Sequence, residues 1–280
     1  NKIYDATTAA TLTSCTLSGV LGTEVVGCTG TAALDPASSG MGKTVTASGL
    51  TLTGADAGNY VLGSPTATTT ADITAATVTP AVTAESKIYD GTTTATLTSC
   101  TVSGTVGEET VACTGTAAFD SASAGTGKTV TVSGLTLTGA DARSYVHASS
   151  TATTTADITA ATVTPTITVA NKIYDATTAA TLTSCTLSGV LGTEVVGCTG
   201  TAAFDTAGVG VGKTVTVSGL TLTGADAGNY GLASPTATTT ADVTAATVTP
   251  AVTAANKIYD ATTAATLTSC TLSGVLGTEV

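Results

Sequence analysis

Tryptophan is absent from this sequence, phenylalanine occurs twice, and aromatic residues make up only 3% of the chain. A core built without large rings is thin, so each folding unit needs a further source of stability. Bases are scarce too: Lys and Arg number 8 against 19 Asp and Glu, for a net charge of -11. The carboxylates are scattered without a run and the bases form no patch, which argues against nucleic acid and anionic membranes as partners. No apolar stretch reaches the ~18 residues of a membrane-spanning helix, and no signal peptide opens the chain. The one histidine, His147, stands where the sibling positions carry Leu62 and Leu232. A triad or metal site built on it would be missing from the other copies.

What the chain has is threonine, at 71 of 280 positions, with Ala, Val and Gly close behind. Thr and Val are β-branched and suit a pleated, half-buried surface, and good helix formers are few. The sequence predicts an all-β protein. It is also periodic: Lys2-Ile3-Tyr4-Asp5 returns at Lys87, Lys172 and Lys257, a step of 85 residues each time. Residues 171–203 repeat residues 1–33 letter for letter, and 256–280 repeat 1–25. The chain opens on the motif and stops inside a repeat, which predicts further copies on either side. The unit to explain is one 85-residue module.

Seven cysteines follow the same period. Cys15 and Cys28, Cys100 and Cys113, and Cys185 and Cys198 are pairs 13 apart, and Cys270 has its sister position beyond the last residue. Two cysteines per module, with no histidine or third cysteine at ligand spacing, predict a disulfide in preference to zinc. Such a staple supplies what the thin core lacks, and it predicts an oxidising compartment.

Along one module, residues 10–17 read as an outgoing strand whose inward phase slips near Ser14, a bulge signal. Residues 24–34 read as its return partner in a hairpin, with the disulfide inside between them. Residues 43–53 form a further strand interrupted at Ser48-Gly49, and Gly54 to Asn59 is a turn that delivers Tyr60. Tyr4, Tyr60 and their repeats Tyr89, Tyr145, Tyr174 and Tyr230 are the expected core anchors. The stripe Val78, Pro80, Val82 reads as an edge strand, because a proline cannot donate to a ladder. Modules then begin at that strand: 1–75 lacks its first strand, 76–160 and 161–245 are whole, and 246–280 starts another. About seven short strands per module predict a tandem array of small antiparallel immunoglobulin-like sandwiches, each with one disulfide.

Several patterns imitate chemistry. Gly40 to Thr44 and Gly125 to Thr129 resemble a phosphate loop, but the required earlier glycine is Ala37 or Ala122 and a Thr-Val strand follows in place of a helix. Thr-x-Thr runs such as Thr44-Val45-Thr46 suggest an ice-binding face, yet any two-faced sheet puts threonine on its wet side. Asp5, Asp56 and Asp72 recur and raise calcium at the module joints, the one cofactor worth weighing, although no Asp-x-Asp-x-Asp loop is present. Capping of turns accounts for them.

Lys87-Ile88-Tyr89-Asp90-Gly91-Thr92-Thr93 resembles the signature of the YDG repeat found in filamentous-haemagglutinin-type bacterial surface adhesins. Gly127 to Leu137, Gly224 to Tyr230 and Ala241 to Thr244 are similar to its further stretches in order and spacing. Ala6 and Ala176 replace the glycine of the signature, and the cysteine pair departs from the usual pattern. The resemblance implies large secreted bacterial proteins with β-sandwich repeats and no known catalysis.

The expected function is therefore non-enzymatic: an extracellular structural or adhesive array at a bacterial surface, either a stalk or a self-assembled filament. Its expected partners are neighbouring repeats, further copies of the protein, and a surface glycan or host receptor. The alternative is a carbohydrate-binding array of a secreted protein, which needs Tyr4 and Tyr60 exposed as stacking platforms.

Overall fold

The computed structural model describes residues 1–277. No α-helix occurs among them, and the short 3-10 turns at Ala57–Asn59, Ala142–Ser144 and Ala227–Asn229 are the only helical pieces described. No helix is long and apolar enough to cross a membrane. By contacts the chain forms two compact units: residues 1–87, 92–122 and 126–157, and residues 88–91, 123–125 and 158 onward.

The third repeat shows the plan. A three-stranded sheet places Ala161–Val169 between Leu182–Ser188 and Tyr230–Leu232. A five-stranded sheet runs Lys172–Ile173, Ala237–Thr244, Gly210–Thr223, Gly197–Phe204, Ala179–Ala180. The second repeat has the same order in both sheets. Alternation in the longest strand explains the layering: Val215 and Val217 are 0% exposed, while Thr214 and Thr216 between and beside them face out. Phe204, Leu220, Ala241 and Val243 complete the inner layer of the second unit. These are the tandem disulfide-stapled immunoglobulin-like sandwiches that composition and period predict. The first repeat has only the five-stranded sheet, Lys2–Ile3, Ala67–Thr74, Gly40–Thr53, Gly27–Asp35, Ala9–Ala10, and its residues 11–17 are not in a strand.

The expected hairpin is a correction. Leu97–Ser103 pairs with the proline strand Ala76–Ala84 in the small sheet, whereas Ala112–Phe119 pairs with Gly125–Thr138 in the large one. Periodicity reports which face of a strand is buried and is silent on its neighbour, so two inward-facing strands joined by residues 104–111 fit opposite sheets as well as one. The disulfide consequently ties the two sheets together. Cys100–Cys113 has Cα atoms 5.2 Å apart and Cys185–Cys198 5.6 Å, and Cys15–Cys28 bridges at 5.5 Å. Cys270 is an exposed thiol among the described residues.

The proline strand has one neighbour at a time, an edge at Pro80 as its proline predicts, but it changes partner along its length: Ala76 to Val78 pair in parallel with Tyr145 to His147, and Thr79 to Ala84 pair antiparallel with Leu97–Ser103. Val78 and Pro80 point their backbone groups the same way, so the missing N–H of Pro80 falls where the parallel neighbour stops. The bulge expected at Ser48-Gly49 is present, with a register shift between Thr29 and Thr31 opposite it and Gly49 at φ 59°. The other bulge falls at Thr98 and Thr183, one residue before the equivalents of Ser14.

One local departure from the family signature is strained. Ala6, Ala176 and Ala261 have φ of 59°, 61° and 57°, and Gly91 occupies the same place at 74°. A Cβ in the left-handed region costs roughly 1–2 kcal/mol, offset in part by the extra freedom glycine gives the unfolded chain. Ala176→Gly is therefore expected to raise unfolding stability by about 1 kcal/mol. Urea denaturation of the variant beside the parent checks it, and a loss of stability would mean that the turn carries no strain.

Candidate functional site: the joint between repeats

The site begins with the recurring Lys-Ile-Tyr-Asp segment. Lys2 and Ile3 add a short parallel strand beside Ile73 and Thr74, and the Tyr4 N–H donates to the Thr74 carbonyl at 2.8 Å. Lys2 Nζ pairs with Asp5 at 2.6 Å and donates to the carbonyls of Thr7 and Ala9, both at 3.0 Å. Asp5 also accepts from the Thr7 N–H, and with Lys2 as the leading cause its carboxyl is held down at about 2. The lysine thus pins the turn after the strand, and the tyrosine leaves at a fixed angle. Lys172 is also stacked over the Phe204 ring at 5.5 Å.

The tyrosine at the far end of each module comes from a different device. Gly139 lies at φ 111°, where a Cβ would sit 2.3 Å from the Thr110 carbonyl oxygen, so only glycine allows that approach. The Asp141 carboxylate then accepts the Thr110 N–H at 3.0 Å. Tyr145 emerges from this turn, pinned beside the chain that carries Glu109.

These devices meet between consecutive repeats. Within the first unit Tyr4 packs edge-on against Tyr145 of the next repeat, with centroids 5.5 Å apart and planes at 82°. Tyr4 donates to Glu109 Oε1 and Tyr145 donates to Glu109 Oε2, while the Val106 N–H donates to the Tyr145 oxygen at 2.9 Å. Within the second unit the arrangement recurs: Tyr89 and Tyr230 lie 5.5 Å apart at 79°. Tyr89 donates to Glu194 at 2.5 Å, Tyr230 donates to the other oxygen, and the Leu191 N–H donates to Tyr230 at 3.0 Å. One carboxylate thereby collects hydroxyls from two repeats. Smaller contacts flank it, with Ser39 Oγ donating to the Arg143 carbonyl at 2.9 Å and the Ala124 N–H donating to Asn229 at 3.0 Å.

The electrostatics match the geometry. A phenol that donates to a carboxylate resists ionisation, because its anion would face a like charge. The hydrogen bond to Glu109, then burial, pushes Tyr4 up to about 12, and Glu194 with burial does the same for Tyr89, also to about 12. Tyr145 and Tyr230 are raised mainly by burial and secondarily by the same glutamates.

Tyr4, Tyr89, Tyr145 and Tyr230 are all buried, and their rings serve the junction of two modules as much as the core of one. Tyr60 is half-buried and donates to Glu24, with the Leu21 N–H donating to it at 3.0 Å. Tyr174 is half-buried, and the glutamate equivalent to its expected partner, Glu279, lies outside the described residues. The glutamates are what the sequence reading passed over. Their recurrence at positions 24, 109 and 194, among few carboxylates, was the available signal.

The other chemical imitations resolve into local structure. The Gly-Lys lysines close their own loops, Lys43 on Ser38 Oγ at 3.0 Å, Lys128 on Asp120 at 3.0 Å and Lys213 on Asp205 at 3.1 Å. The Asp56 carboxylate caps the Val25 N–H at 2.8 Å and Asp72 the Gly42 N–H at 2.8 Å. No group of three or more His, Cys, Asp and Glu side chains able to hold a metal occurs among the described residues. His147 sits in the strand Tyr145–His147 with both ring nitrogens buried and unpartnered. Nothing in the structure explains that substitution for the leucine of its siblings.

The YDG domain model matches three successive segments, residues 1–71, 74–155 and 159–241. No curated protein and no solved structure matches the chain. With the fold repeating three times and the matched segments covering most of its length, the chain belongs to the YDG domain family.

Proposed function

We propose that this chain is a non-catalytic structural array, a stretch of an extracellular stalk or self-assembled filament at a bacterial surface. The observation that carries it is the joint. Its conserved geometry in both units ties one repeat to the next through a carboxylate, two phenols and an edge-to-face ring pair, so the polar side chains that recur are spent on connection. The three disulfides support an oxidising location, because a fold that relies on them is poorly served by a reducing cytosol. The resemblance of the repeat signature to that of surface adhesins supports the bacterial envelope as the location and, as partners, further copies of the protein together with a host receptor or surface glycan.

The carbohydrate-binding alternative is less favoured, since the rings it needs as platforms are buried: Tyr4, Tyr89, Tyr145 and Tyr230 are between 4% and 8% exposed. Electron microscopy of native, unboiled material tests the proposal. Isolated strings are expected for a stalk and regular fibres with an axial repeat of one or a few modules for a filament; a metal or ligand held by a single repeat and absent from its siblings would overturn the proposal.

A further inference from the structure

The joint holds two phenol rings from consecutive repeats in contact, and phenol rings in contact can be joined by oxidation. Tyr89 and Tyr230 have centroids 5.5 Å apart with planes at 79°, and Tyr4 and Tyr145 have the same separation at 82°. In each pair both hydroxyls donate to one carboxylate, Glu194 or Glu109. A phenoxyl radical carries much of its unpaired electron on the ring carbons beside the oxygen, so hydroxyls that converge bring the reactive edges together. Nearly perpendicular planes are no obstacle. A bond between two phenol rings leaves them free to twist about it.

The carboxylate supplies a second condition. Losing an electron is hard for a phenol unless its proton leaves too, and each proton here already points at a base. Glu109 and Glu194 are half-buried, so water can take the protons from them in turn. The composition supplies a third. Tryptophan, which would drain a tyrosyl radical, is absent, and the cysteine pairs of the three repeats are already oxidised. Burial selects the oxidant: rings only 4% to 8% exposed cannot enter an enzyme's own site, whereas a small one-electron oxidant can act on them from the surface.

We propose that Tyr89 with Tyr230, and Tyr4 with Tyr145, are sites of dityrosine formation, a covalent tie between consecutive repeats made by a small one-electron oxidant. Each phenol gives up one electron to the oxidant and its hydroxyl proton to the glutamate. The two radicals couple through carbons ortho to oxygen, and the hydrogens on those carbons move to the oxygens, restoring both phenols. One carbon–carbon bond forms, two electrons pass to the oxidant and two protons reach water. The disulfide already closes each repeat internally. This bond closes the joint, and a thiol reductant does not open it. The inference goes beyond the structural reading and is the same for a stalk and for a filament.

The test illuminates the dilute 280-residue chain with a ruthenium polypyridyl photo-oxidant and peroxydisulfate, which takes the two electrons and ends as two sulfates. The product is then unfolded, digested with trypsin and weighed. Cys15–Cys28 and Cys100–Cys113 each lie within one tryptic peptide, so residues 88–128 and 214–257 travel together only through Tyr89 and Tyr230, and residues 3–43 and 144–172 only through Tyr4 and Tyr145. Both joined pairs, each two hydrogens lighter than its parts, are expected from the native chain, and about tenfold less from the chain oxidised in urea, where proximity is lost. Tyr89→Phe is expected to abolish the first pair and leave the second as a control in the same molecule. Glu194→Gln keeps an acceptor but removes the base, and is expected to lower the first pair severalfold without touching the second. Absence of both pairs once the oxidant is consumed, or equal amounts from native and unfolded chains, overturns the proposal.

Discussion

Replacing Cys185 and Cys198 together with alanine is expected to cost the third repeat about 3 kcal/mol, the value for freeing a loop of this length. That is a large part of the roughly 5–15 kcal/mol a whole domain has to spare. The size follows from the poverty of the core. Valine dominates its fully buried side chains, with Phe204 the one aromatic ring among the buried residues of the cluster and Tyr174 packed half-buried against it. The position of the bridge sharpens the expectation, because it joins strands of opposite sheets that share no backbone hydrogen bonds with each other. Without it, Leu182–Ser188 and Gly197–Phe204 are joined by side-chain packing and by residues 189–196. Urea unfolding of the double variant, and of the parent with and without reductant, measures the effect. A loss below about 1 kcal/mol would show that sheet packing suffices, and the staple would then need another explanation.

The second large effect is expected at Glu194. Glu194→Ala leaves the hydroxyls of Tyr89 and Tyr230 without their acceptor, and a hydrogen bond to a charged group is worth about 1.5–3 kcal/mol. Two such bonds would total about 3–6 kcal/mol, and partial exposure of the carboxylate lowers the expected loss to about 2–3 kcal/mol of coupling between repeats. Glu194→Gln keeps an amide oxygen as acceptor and is expected to lose about half as much. A double-mutant cycle with Tyr89→Phe isolates the coupling. Additivity of the two substitutions would mean that the clamp is geometry without energy.

The same joint predicts behaviour at high pH. Tyr4 and Tyr89 keep their protons in the folded chain up to about 12, against 10.0 when unperturbed. Between those values the folded state binds more protons than the unfolded one, so stability falls as pH rises. The contribution is whole below pH 10 and disappears through about pH 12. Phenolate absorbance during alkaline titration follows it directly. Tyr4 and Tyr89 are expected to ionise only at about pH 12. A single transition at the unperturbed value would remove the clamp from consideration.

Much of this was legible in the residues. The period of 85 set the unit, β-branched composition set the class, and the spacing of 13 between cysteines paired them without ambiguity inside each module. Gly49 marked its bulge because a chain that must take a positive φ advertises it with glycine. These are local properties, carried by residues close together in sequence or repeated identically along it.

What only the tertiary structure decided is who stands next to whom. Alternation told that Leu97–Ser103 and Ala112–Phe119 each bury one face, but either a shared sheet or opposite sheets satisfies that pattern, and packing chose the latter. Pro80 could be read as an edge, but that its strand changes partner just before the proline could not, because Tyr145–His147 arrives from far along the chain to pair with Ala76 to Val78. The joint was the least legible. Tyr4 and Glu109 are 105 residues apart, in different repeats, so no periodicity within a module could reveal that one carboxylate would collect phenols from two. Sequence by itself determined the module and its staple; the link between modules depends on surfaces that exist only once two of them have folded.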